Sequence, residues 1–210
     1  MARRFDGASN QFLQALGFGA LGQPFTICCV VHAATYVPTM PFITTPESLV
    51  FQNDSNAILM HNGAWLVSST VMPQNVMVHV TAIAAGVDSS LHTGPVAGSG
   101  LVAYGNSGGN GITNNLYIGG RTFAGSYFWN GRIAEAAIWN DALTPNEQRA
   151  LSRGVSPRVV RPLKLRGYWP LWGASLTEGD IDISGRQKSV TTMGGVIPVA
   201  QHMLGSPMAL

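Results

Sequence analysis

Two cysteines, two lysines and ten carboxylates are all that 210 residues contain of those groups. Cys28 and Cys29 are neighbours, so on a strand their side chains point to opposite faces. A disulfide between them would need a strained ring, and no third cysteine exists to pair with either. Buried free thiols are expected instead, in a chain made in a reducing compartment. Only 10% of residues are charged against 46% hydrophobic, so the surface must be built of Gly, Ser, Thr, Asn and Gln or be covered by partners. A formal net charge of +2 gives no argument for nucleic acid. No apolar run is long enough to span a membrane as a helix. Arg3 and Arg4 are followed by Phe5-Asp6-Gly7-Ala8-Ser9-Asn10, which lacks the apolar core of a secretion signal.

Catalytic signatures are missing as well. The four glutamates, Glu47, Glu135, Glu147 and Glu178, are isolated from one another. No Glu-x-Asp-x-x-Glu run places paired carboxylates on one strand face beside a sugar. His32 and His79 carry no local triad signature. The glycine-rich residues 97–115 offer neither the following helix nor the lysine of a phosphate cradle, and read as a surface loop system.

What is present is β-pattern. Phe25-Thr26-Ile27-Cys28-Cys29-Val30-Val31-His32-Ala33 is apolar on both faces, as a central strand should be. Residues 48–83 read as a meander of short strands around Ser48–Phe51, Ala57–Met60, Ala64–Val67 and Val76–Ile83, with Asn62-Gly63 as a two-residue hairpin signal. The organising stretch is residues 114–154. Leu116-Tyr117-Ile118 ends at Gly119-Gly120, and the second apolar run, residues 131–139, ends at Asn140-Asp141. Thr144-Pro145-Asn146-Glu147 then predicts a helix start with a capping box and a first-turn proline, and Gly154 its left-handed end. At 210 residues the chain suits one large sandwich or two small domains, with room for a sizeable core.

That order of strand, Gly-Gly, aromatic loop, strand, turn and capped helix resembles the laminin-G-like, or concanavalin A-like, jelly-roll family. Residues 4–13 resemble its Phe-Asp-Gly strand, and residues 25–33 the core strand that follows. Leu165-Arg166-Gly167-Tyr168-Trp169-Pro170-Leu171 with Asp180-Ile181-Asp182-Ile183-Ser184-Gly185 resembles the opening of many such domains, yet here it follows the helix. The resemblance therefore implies a circularly permuted order, of the kind found in bacteriophage structural proteins. Sandwich termini often lie close together, so permutation is physically cheap. The implied fold is all-β: a jelly-roll sandwich of two antiparallel sheets with one short helix. Residues 1–195 are expected to form it, strands within 163–195 completing it, and 196–210 to form an apolar C-terminal arm.

The fold implies little about function, since it carries lectins, glycosidases and structural modules alike. The expected role is a non-enzymatic virion module, a capsid decoration or tail-associated protein assembled in the host cytoplasm; the alternative is a soluble carbohydrate-binding lectin. Its partners would be other virion proteins, further copies of itself, and a host-surface glycan, with no nucleic acid and no membrane. For sugar, Tyr127, Phe128, Trp129 and Asn130 form one aromatic loop, although Phe128 and Trp129 suit core or interface packing better, and Trp65 follows the Asn62-Gly63 turn. For a cation, Asp180, Asp182 and Ser184 match the first half of a calcium loop, although Thr191 stands where the bidentate glutamate belongs. The same spacing suits an ordinary Ser-Gly turn. For assembly, Arg158, Arg161, Lys164 and Arg166 form a basic strip, and Met203, Leu204 and Leu210 lie in a tail almost free of charge. That tail gains by burial, against a neighbour or against its own sandwich.

Overall fold

In the computed structural model the apolar run Phe25–Ala33 is a strand buried along almost its whole length. The structure describes residues 2–7, 10–35, 40–46, 49–54, 57–94, 100–113, 115–121, 127–171, 181–188 and 190–199. Its strands, in chain order, are β1 (Ala2–Asp6), β2 (Phe12–Ala15), β3 (Phe25–Ala33), β4 (Met40–Pro41), β5 (Ile43–Thr44) and β6 (Leu49–Asp54). There follow β7 (Ala57–His61), β8 (Trp65–Val71), β9 (Met77–Ala84), β10 (Ser89–Gly94), β11 (Gly100–Gly105) and β12 (Leu116–Ile118). The last are β13 (Gly120–Arg121), β14 (Tyr127–Phe128), β15 (Asn130–Trp139), β16 (Leu165–Trp169), β17 (Thr191–Met193) and β18 (Ile197–Val199). One α-helix, α1 (Pro145–Ser152), lies between β15 and β16.

Two antiparallel sheets stack as a sandwich. The first runs β11-β10-β9-β3-β15-β1-β18, with β16 also on β15; the second runs β17-β2-β12-β5-β6-β7-β8, with β4 on β6. The alternation of β3 accounts for its unbroken apolar sequence. Phe25, Ile27, Cys29 and Val31 enter the core between the sheets. Cys28 points the other way, into a second cluster with Ala137, Trp139, Leu143, Leu151 and Tyr168. This second core exists because α1 covers the outer face of the first sheet. The two thiols are free and buried on opposite faces, as their adjacency predicts.

The helix starts as its sequence predicts. Thr144 Oγ accepts from the Glu147 amide at 3.4 Å, and Glu147 Oε2 accepts from the Thr144 amide at 2.7 Å, completing the capping box. Gly154, at φ +86°, carries the chain out of the helix, and the Val155 amide returns to the Ala150 carbonyl at 3.1 Å.

The C-terminal strands belong to both sheets. β16 pairs with residues 136–139 of β15, and β1 pairs with residues 130–133 of the same strand. Both are antiparallel to β15, so β16 and β1 lie end to end along one edge, Trp169 ahead of Arg3. Leu165–Trp169 is thus collinear with the Phe-Asp-Gly strand, both pairing with β15. The two strands together line one side of β15, opposite β3. β17 closes on β2 and β18 on β1.

Two sequence expectations need correction. Residues 100–105, assigned to a glycine-rich loop, form β11, paired along β10. The boundary at 195 is also misplaced: Val196 is fully buried in the main core, and residues 197–199 pair with β1. The remainder of the arm, with Met203, Leu204 and Leu210, lies outside the described residues.

Candidate functional site

The aromatic residues proposed for sugar divide sharply. Trp129 is fully buried, its ring edge-on to Phe42 with centroids 4.5 Å apart. It is a core residue and presents no face to a ligand. Phe128 is buried as well, stacked on Phe12 at 6.3 Å in a small cluster with Tyr117. Of the two readings open for these residues the packing one holds and the sugar contact falls away: strand pairing of β14 with β13 turns this stretch inward. Tyr127 remains 37% exposed, and Asn130 donates from Nδ2 to Thr35 Oγ at 2.7 Å. Trp65 stands on a different strand at the far edge of the second sheet, so the five residues do not form one site.

Trp65 is the exposed tryptophan of the described residues, with 51% of its surface free. It packs against His61 across the hairpin, ring centroids 4.6 Å apart. Val67 and Val71 continue the same outward face of β8 and are also exposed. The turn that delivers Trp65 is held from outside. The Asn62 and Ala64 amides both donate to the Ser107 carbonyl, at 2.9 and 2.8 Å, and the Asn110 amide donates to Asn62 O at 2.9 Å. Gly108 permits this: at φ +95°, a Cβ on it would lie 2.3 Å from Asn62 O and 2.5 Å from Ala64 N. The buried Ser107 hydroxyl anchors the loop on Ser89 Oγ at 2.8 Å. Asn110 places its side-chain amide beside Gly63. The glycine-rich segment is thus a clamp that fixes an exposed indole on a rigid turn. Sequence reasoning found the indole and missed the clamp.

One pair resembles a nucleophilic dyad. Cys28 Sγ lies 2.9 Å from His79 Nε2, both fully buried. Burial pushes the thiol well above its usual range, and the nearby Glu135 carboxylate adds to this. Burial also brings the imidazole down to about 4. Each partner is held in its neutral form, so the thiolate needed for attack is disfavoured from both sides.

Asp182 does not head a cation loop. Its Oδ1 accepts from the Tyr168 and Ser184 amides, both at 2.9 Å, and Oδ2 accepts from the Lys188 amide at 2.8 Å. Three N–H dipoles aim their positive ends at the carboxylate, where a cation would have to stand. Ser184 Oγ likewise accepts from the Arg186 amide at 3.2 Å. These bonds form an Asx-type turn that ties residues 182–188 to β16. Asp180 lies outside the described residues, and among the described residues no three His, Cys, Asp or Glu side chains gather as a metal site.

The basic strip is only partly available. Arg161 is committed: it donates to Asp141 Oδ2 at 2.8 Å, Glu147 Oε1 at 2.6 Å and the Ala142 carbonyl at 3.0 Å, pinning its loop to the start of α1. It is a structural clamp and not a docking contact. Arg158 and Lys164 are exposed, and Arg166 is half-buried. Between them Val159 and Leu163 are also exposed, Leu163 at 87%.

No protein-family model matches the chain, and no curated protein matches it. Solved structures do. A Bacteroides ovatus protein provisionally named as carbohydrate-binding superposes over 93% of this chain with a TM-score of 0.72 at 18% identity, and the chain spans 58% of that protein's length. The heptameric SAP-like pentraxin of Limulus polyphemus matches over 93% of both chains, with a TM-score of 0.63 at 18% identity. The enzymatically active domain of tailspike protein 2 from bacteriophage CBA120 matches over 80% of this chain and 29% of its own length, with a TM-score of 0.57 at 16% identity. At these identities the likeness concerns the fold alone, an all-β jelly-roll sandwich.

Proposed function

We propose that the chain is a non-enzymatic carbohydrate-binding module whose sugar platform is Trp65. The observation that carries this is the rigidly held, half-exposed indole, packed on His61 and followed along β8 by the exposed Val67. A pyranose needs an apolar face to stack against and amides to orient its hydroxyls, and pre-fixing the aromatic lowers the ordering cost of binding. The carbohydrate-binding name of the Bacteroides ovatus neighbour supports the reading. The neutral state of the Cys28–His79 pair and the isolation of the glutamates support the absence of catalysis. The test is a glycan array with the isolated protein, run with and without a calcium chelator. Glycan binding that survives the chelator is expected, because a platform of an indole packed on an imidazole uses no cation. Hydrolysis of any arrayed glycan would overturn the non-enzymatic part.

A second role, as a virion component, is favoured by the strip of Arg158, Val159, Leu163 and Lys164. Exposed apolar side chains flanked by exposed cations suit a contact with an acidic protein surface, such as a capsid or tail protein. The phage tailspike neighbour agrees with this placement. Mass spectrometry of purified particles from the source would find the chain at stoichiometric level, and its absence from them would remove the virion role while leaving sugar binding in place.

A further inference from the structure

On the outer face of the first sheet, α1 and the strands beneath it enclose a groove of about 590 Å³. This is within the ~300–1,000 Å³ usual for small-molecule sites. It lies on the opposite sheet from Trp65. Its floor carries His79 and Thr81 from β9 and His92 from β10, and its wall is α1, through Pro145, Gln148, Arg149 and Ser152, with Arg153 just past the helix end. The wall residues recur at three- and four-residue spacing, so one helix face looks into the groove. At one end Gly94 lets the helix touch the sheet, since a Cβ there would lie 2.9 Å from Ser152 Cβ.

The chemistry of the lining is one-sided. Among the described residues it contains two guanidinium groups and no carboxylate. Gln148 is buried and donates from Nε2 to the Leu143 carbonyl at 2.9 Å, yet its Oε1 has no hydrogen-bond partner. The buried Thr81 hydroxyl also lacks an oxygen or nitrogen partner, its neighbour being the Cys28 thiol. A buried acceptor without a donor is unfavourable, and a ligand donor in the groove would satisfy it. Burial holds both imidazoles below their ordinary range, so they serve as neutral hydrogen-bonding groups there.

We infer that this groove is a binding site for a small hydroxylated carboxylate of monosaccharide size, a sugar acid. The two arginines take the carboxylate, and ligand hydroxyls donate to Gln148 Oε1 and exchange hydrogen bonds with Thr81 and His92. The site is independent of the Trp65 platform and needs neither an aromatic ring nor a metal. A neutral sugar leaves the arginines unused, and inorganic phosphate leaves the Gln148 acceptor with fewer donors.

The test is isothermal titration of the whole chain with glucuronate, with glucose and inorganic phosphate as comparators, repeated on Arg149→Met, Arg153→Met and Thr81→Val. The arginine variants alter surface side chains and the threonine variant is isosteric, so thermal melts should stay near wild type. Saturable glucuronate binding is expected, weakened at least tenfold by Arg149→Met and severalfold by Thr81→Val, with glucose and phosphate at least tenfold weaker. Trp65→Ala should leave it unchanged. No saturable glucuronate binding, equal binding of phosphate, or indifference to both Arg149→Met and Thr81→Val would overturn the assignment.

Discussion

Gly108 sits so close to Asn62 that a single added carbon would stand 2.3 Å from the Asn62 carbonyl oxygen. The contact joins two loops 46 positions apart in the chain and sets the turn that presents Trp65. Gly108→Ala should therefore destabilise by about 3 kcal/mol, through backbone collision added to a positive φ. Gly17 is the control. Its φ is +64° with nothing within 4 Å of a built Cβ, so Gly17→Ala should cost only ~1–2 kcal/mol. Urea denaturation of the two variants checks this, and equal losses would mean that the clamp contributes nothing.

Trp139 is fully buried beneath α1 and donates from Nε1 to the Val160 carbonyl at 2.7 Å. Trp139→Ala should cost about 3–5 kcal/mol, as large-to-small changes in a core do. Thr144→Ala should cost about 1 kcal/mol through loss of the cap. Thermal melts ordered Trp139→Ala, Thr144→Ala, wild type would support the strand-to-helix unit as a cooperative part of the fold.

Acid should destabilise the chain well above the usual carboxylate range. The unfolded imidazole of His79 takes a proton near pH 6.5, whereas the folded one takes it only near pH 4. Between those values the unfolded state binds more protons, so stability is full above pH 6.5 and falls as pH drops toward 4. The loss amounts to about 3 kcal/mol. His32 and His92 shift in the same direction and add to it. Stability measured from pH 7 to 4 should fall steeply in wild type and less in His79→Gln.

Residues 155–199 supply strands to both sheets, so truncation after Gly154 should strip β16 and β1's partner β18, expose Trp139 and Phe18, and leave an insoluble product. A soluble fragment that melts cooperatively would contradict the account of β16 and β1 as two parts of one edge.

Much of this architecture was legible in sequence where the signal is local. The capping box of α1 involves residues three apart, and the two-faced burial of β3 follows from one run of nine residues. Trp129 shows the limit: its neighbours read alike whether the ring faces water or Phe42, and only strand pairing decides. β11 was hidden by the glycines at both its ends. The Gly108 clamp and the groove were invisible for another reason. Gly108 meets residues 62–64, and His79, His92 and Gln148 converge from three elements, so no spacing rule brings them together. The Asp182 turn had the composition of a cation loop because both need short oxygen-bearing side chains around a tight bend; hydrogen bonds to three amides distinguish them.

The central claim is that Trp65 is a sugar platform, and the most direct measurement is a side-by-side glycan array of wild type and Trp65→Ala. The side chain is half-buried against His61, so folding stability should fall by about 1–3 kcal/mol with the fold retained. The account predicts that wild type binds a defined set of glycans, that Trp65→Ala loses at least tenfold in affinity for them, and that the variant still melts cooperatively. Equal glycan binding by the two proteins, or none by a wild type that melts cooperatively, would contradict it.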